Sequence, residues 1–171
     1  MSDWSLFLAI ATFSLAGAAF WAIWQTHGIQ KSEKAQRLLN EVIEWSIDIQ
    51  KCPFEKDFRT IVGATGVNKL RLSVYEHIIA VKESYQAITA RNPYIFEIAR
   101  NFEGSLQKAV EELIKDLKEH IKLLDKWQHA IAANESIDMT AYADKADAHG
   151  RKLSYSTYKV IKQATKIKLK T

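Results

Sequence analysis

Four of the five histidines and the single cysteine are the side chains here best suited to metal or nucleophilic chemistry, and their spacing supports neither. A di-iron helical bundle draws Glu-x-x-His pairs from two helices, yet the residues three before His77, His120, His129 and His149 are Val74, Leu117, Lys126 and Ala146. His149 falls on an apolar helix stripe, where a core or interface histidine is expected, and the others are expected to be solvated or capped by neighbours. Cys52 occupies a heptad-like apolar position, where a thiol packs rather than reacts. The segment "GATGVNK" at Gly63–Lys69 is no phosphate loop, because it lacks the four-residue gap between glycines and the Ser or Thr after the lysine.

Two fragments, "GATG" at Gly63–Gly66 and "YSTYK" at Tyr155–Lys159, look like pieces of the short-chain dehydrogenases. That family holds a dinucleotide on a Gly-rich turn and passes a proton through Tyr and Lys. The likeness fails on context: a dinucleotide fingerprint needs a preceding strand and a third glycine, and the sequence offers neither. The chain is therefore expected to be non-enzymatic, with no catalytic residue, cofactor or metal.

The elements that would carry any site are helices. Ala35, Leu38, Val42, Trp45, Ile49 and Cys52 recur at three and four residues, predicting a helix that ends before Pro53. A second helix is predicted from about Asn68 to Ala90 on Val74, Ile78, Val81, Tyr85 and Ile88. Asn92 and Pro93 read as a cap followed by proline in the first turn, opening a third helix on Phe102, Leu106, Val110, Leu113, Leu117, Ile121, Leu124 and Ile131. Its length would be about 60 Å if unbroken, with Gly104 the weak point. A fourth starts near Asp138, with Met139, Tyr142, Ala146, His149, Leu153, Val160, Ala164 and Ile167 on one face. Trp45, Tyr85, Phe102 and Trp127 are expected in the core, and Glu111 with Lys115 as an exposed i,i+4 pair. No run alternates at period two, so the fold class is all-α: an antiparallel bundle or extended hairpins.

Before these helices, Trp4 to Trp24 contains no charge over 21 residues, about 31 Å of helix, which predicts an N-terminal transmembrane helix. Trp4 at one end and Trp21 with Trp24 at the other would sit at the membrane interfaces. No basic n-region precedes the run, and apolar residues continue past Ala16–Ala19, against a cleaved signal peptide. The expected division is an anchor over 1–27 and a helical domain over 28–171. Lys31, Lys34 and Arg37 follow the span and no Lys or Arg precedes it, placing the N-terminus outside and the domain in the cytoplasm of a single-pass cell-membrane protein. Lone Cys52 agrees with a reducing compartment. Ser14, Ala18 and Ala22 form a small-residue stripe through which two spans could associate.

The Trp-flanked run, "RLLNEVIEWSIDIQKC", "AVEELIKDLKEHIKLLDKW" and "ATKIKLK" together resemble small prokaryotic single-span membrane proteins of uncharacterised function with a cytoplasmic helical domain. The resemblance implies a location and a fold, and no activity.

Charge is unevenly placed. Seven basic residues and no acid lie between Ala148 and Thr171, although the whole chain is only +4. In up-down order the last helix returns toward the leaflet, so Lys162, Lys166, Lys168 and Lys170 are candidates for contact with an anionic surface of the lipid bilayer. Scarce Arg and the lack of a nucleic-acid module argue against nucleic acid. The expected role is a membrane-anchored interaction or structural protein that binds a protein partner or itself. A sensor or regulatory input module is the alternative. An enzyme with a pocket lined by His77, His129 or Tyr155 is the third choice.

Overall fold

The computed structural model describes residues 3–52, 58, 61–62 and 67–169; within these, the side chains of 3–19, 23–24, 27–28 and 67–70 are not described. Five helices make up the bulk of the described residues: α1 (Asp3–Lys51), α2 (Val67–Thr89), α3 (Asn92–Arg100), α4 (Gly104–Ala132) and α5 (Met139–Lys168). There is no strand among them. The chain divides into two compact units, residues 1–38 and residues 39–170.

In the first unit the expected transmembrane helix is not upheld: among the described residues no helix is long and apolar enough to cross a membrane. α1 does not stop near residue 27 but runs on to Lys51. Its described side chains after Phe20 and Trp21 include exposed Gln25, Thr26, Gln30, Lys31, Glu33 and Lys34, so from residue 25 onward the helix carries a polar surface. Thr26 Oγ1 donates back to the Ala22 carbonyl at 2.7 Å. The interfacial roles expected of Trp4 and Trp24, and the Ser14 and Ala18 positions of the small-residue stripe, fall on side chains outside the described residues. Trp21 is 58% exposed.

The second unit is built around α4, which contacts α2, α3 and α5. The predicted periodicity recurs as burial. Leu39, Val42, Trp45 and Ile49 of α1, Val74, Ile78 and Tyr85 of α2, and Leu106, Val110, Leu113, Leu117 and Leu124 of α4 are all fully buried. Such side chains contribute roughly 1.5–3 kcal/mol each relative to exposure. The last helix begins where expected, near Asp138, which caps α5 by accepting from the Thr140 and Ala141 amides at 3.0 Å each.

The single long third helix is corrected to two, α3 and α4. Glu103 is extended (φ −62°, ψ 140°) and breaks the ladder, while Asn101 Nδ2 donates to the Glu97 carbonyl at 2.9 Å and satisfies a terminal acceptor of α3. Phe102, set in this break, is half-buried rather than core. Asn92 begins α3 but does not cap it: the cap residue is Arg91 in a helical conformation (φ −84°, ψ −12°), which makes no side-chain capping bond.

α4 ends in a Schellman motif. Asn134 takes φ 55°, its amide donates to Ile131 O at 3.1 Å, and the Glu135 amide donates to Ala130 O at 3.1 Å. Arg71 of α2 donates to Asn134 Oδ1 and, at 2.9 Å, to the Glu135 carbonyl, tying α2 to the α4–α5 connection. Asn134→Gly keeps the left-handed turn and loses one Arg71 contact. Asn134→Ala loses that contact and adds backbone strain, so urea denaturation should show it about 1 kcal/mol less stable than the glycine variant.

Candidate interaction surfaces and the buried polar seam

α4 and α5 run antiparallel, and as numbers rise on α4 their partners fall on α5. Glu112 accepts from Lys159 Nζ at 2.9 and 3.0 Å, Asp116 pairs with Lys152 Nζ at 2.7 Å, and Trp127 stacks on Tyr142 at 5.7 Å between centroids. Asp116 is almost fully buried and also accepts from Ser156 Oγ at 2.7 Å. Lys152 reaches over from the surface to Asp116 and to Glu119 at 3.3 Å, and hydrogen bonds from its ammonium to those two carboxylates hold its pKa above the ordinary value. A carboxylate taken out of water is tolerated only with such partners.

One turn further along α4 lies His120. It is fully buried, with the Tyr85 ring edge-on at 5.8 Å and the His149 ring at 6.0 Å. Burial, then the charge of His149, lowers its pKa from 6.5 to about 4. The expectation of a solvated or capped His120 is thus corrected. Spacing held the signal, since Leu117, His120, Leu124 and Trp127 step by three, four and three along the core face, whereas Ile121 is half-buried. Tyr85 in turn neighbours Cys52, whose thiol is pushed up to about 11 by burial and then by Asp48, so it is not a nucleophile at neutral pH.

The residues named as a possible enzymatic pocket do not converge. His77 packs edge-on against Phe58 at 4.8 Å, His129 Nδ1 lies 2.7 Å from the Asp125 carbonyl oxygen, and Tyr155 is 61% exposed on α5. His129 does line an open cleft of about 860 Å³ with His149 and Tyr142, but Glu119, Asp125 and Glu135 share its walls with Lys122 and Lys126. Those mixed charges select no ligand class.

α5 presents a more uniform face. Arg151, Tyr155, Tyr158, Lys162, Lys166 and Leu169 are exposed and recur every three or four residues, forming one outward line about 27 Å long. Tyr158 is 59% and Leu169 84% exposed. Arg151, Lys162 and Lys166 have no ion-pair partner among the described residues, whereas Lys152 and Lys159 are paired inward to α4. Of the four lysines singled out in the sequence, Lys162 and Lys166 belong to this line. Lys168 instead donates to Asn40 Oδ1 at 2.9 Å, and Lys170 lies outside the described residues. Arg151 and the two tyrosines were missed, although the three-and-four spacing was there to be read.

The fold and its surfaces define a helical bundle with a charged, aromatic outer ridge. No known protein family, curated protein or solved structure matches this chain.

Proposed function

We propose that this chain is a non-enzymatic interaction protein whose α5 ridge docks on an anionic membrane surface. One observation carries the reading: three cations without internal partners and two exposed tyrosines share a single straight helix face, in a segment with no acid. Each cation near an anionic leaflet contributes about 1 kcal/mol, falling off beyond a Debye length of ~8 Å at physiological salt. Tyrosine rings and Leu169 suit the headgroup boundary, being apolar bodies beside charge. A convex ridge meets a plane along its whole length, whereas single-stranded nucleic acid is held in basic grooves. The contact is peripheral and needs no span.

The test is co-sedimentation of the full chain with phosphatidylserine-containing and with neutral phosphatidylcholine vesicles. Binding to the anionic vesicles should weaken with salt and, at low salt, fall by about a hundredfold in the Arg151→Gln/Lys162→Gln/Lys166→Gln variant. Wild type and variant share residues 1–38, so their difference reports α5 alone. Equal binding by the two proteins, or tighter binding to a single-stranded oligonucleotide than to the vesicles, overturns the reading.

A further inference from the structure

A second surface, independent of the α5 ridge, lies between α3 and α4. Here a cleft of about 580 Å³ has an apolar floor of Pro93, Phe96 and Ile114, and Lys115, Lys118 and Lys122 stand along the α4 side. These lysines recur at three and four residues, so they form one row about 10 Å long. None has an ion-pair partner among the described residues. The two acids of the same wall offset three lysines only in part: Glu111 keeps its charge while accepting from the neutral amide of Gln107 at 3.0 Å, not from Lys115 as the sequence suggested, and Glu119 pairs with Lys152. The cleft is thus left with a surplus of positive charge.

A further polar group lines it. Asn92 is only 8% exposed, and its Oδ1 is buried without a hydrogen-bond partner among the described residues. That oxygen has almost no accessible surface, so Asn92 shapes the wall of the cleft through the rest of its side chain. Its position at the start of α3 places it at the cleft, away from the cations' own row.

From this we infer that the cleft receives an acidic amphipathic helix of a partner protein. Carboxylates at i, i+3 or i+4, and i+7 match the lysine row, and an adjoining apolar stripe covers Phe96 and Ile114. Helix-in-groove recognition uses this division between apolar anchors and flanking charge. A single small carboxylate would engage one lysine and leave the other two unpaired, so the row selects an extended anion with an apolar side.

Fluorescence anisotropy with a labelled acidic amphipathic peptide of about five turns, Glu on one stripe and Leu on the next, tests the inference on the full chain. The expected result is saturable binding that drops at least tenfold in the Lys115→Gln/Lys118→Gln/Lys122→Gln variant and drops again on Phe96→Ala. Lys126→Gln, in the neighbouring cleft, should leave it unchanged. All three lysines are exposed, so the triple variant should keep the wild-type melting curve. Equal binding of a scrambled peptide of the same composition overturns the inference, because then charge alone is read. So does an unaltered affinity in the triple variant, or loss of peptide binding on changing Arg151, Lys162 and Lys166, which would move the peptide to α5. Vesicle binding by the cleft variant should match wild type, so failure here and failure of the membrane reading are separable.

Discussion

Trp127→Ala is expected to destabilise the bundle by about 3–5 kcal/mol, the usual cost of removing a fully buried tryptophan. Trp127 joins three elements at one end of the second unit. It contacts Phe58 at 5.0 Å and Tyr142 at 5.7 Å between centroids, and Phe58 in turn meets His77 of α2. The Phe58 amide is also held by Asp147 Oδ1 at 3.2 Å, so the mutation should weaken α2, α4 and α5 together rather than α4 alone. Trp127→Phe gives an internal control. Nε1 of Trp127 is buried without a hydrogen-bond partner among the described residues, so phenylalanine loses contact area but also removes an unmet donor. Its cost should be about half that of the alanine variant or less, because a ring still fills most of the site. Urea denaturation of the two variants, with chymotryptic cleavage at Phe58 as a local probe, measures both effects. A loss under about 1 kcal/mol for the alanine variant would mean that the ring cluster is not a joint.

The second large effect is a loss of stability in acid that traces to His120. In the unfolded chain this imidazole takes up a proton as pH falls through its usual 6.5, whereas in the bundle it stays neutral until about 4. The unfolded state therefore binds more protons across that window, and stability is fully present above pH 6.5 and declines as pH falls toward 4. A gap of this size corresponds to about 3 kcal/mol once pH lies below both values, and about 2 kcal/mol at pH 5. The neighbouring charged or titratable groups are Tyr85 of α2, His149 of α5 and Asp116 one turn back on α4, which Lys152 neutralises. His120→Phe keeps the edge-on contact with Tyr85 and cannot be protonated. The difference in unfolding free energy between pH 8 and pH 5 should be about 2 kcal/mol smaller in this variant than in wild type. Parallel pH profiles for the two proteins would show that the proton is taken up elsewhere.

Asp116 and His120 also show where a sequence reading is limited. Both follow the helical spacing of the α4 core face, but both are polar types, and a rule that assigns the interior by residue type hands the position to the neighbour Ile121. Only the partners reverse this. Ser156 and Lys152 come from residues 36 to 40 positions away, and no local pattern indicates that α5 lies in the register that brings them to Asp116. The unmet Oδ1 of Asn92 is similar: its cap-like position before Pro93 was legible, but the conformation of Arg91 that withdraws it from capping was not.

What the sequence determined by itself is the helical repeat. The spacing of Leu39, Val42, Trp45 and Ile49, of Val74, Ile78, Val81 and Tyr85, and of Leu106, Val110, Leu113 and Leu117 set which faces are buried, because side chains three and four apart share one side of a helix whatever they pack against. Asp138 likewise set the start of α5, since a cap needs only the amides of its own first turn. The place of the break in the expected long helix was legible too, since α4 opens at Gly104, the weak point of that run. Tertiary structure decided the rest. It buried His120, turned Lys152 and Lys159 inward to α4, and left Arg151, Lys162 and Lys166 facing out. Lysines on one helix are chemically alike, and which of them is free depends on the helix that packs beside them.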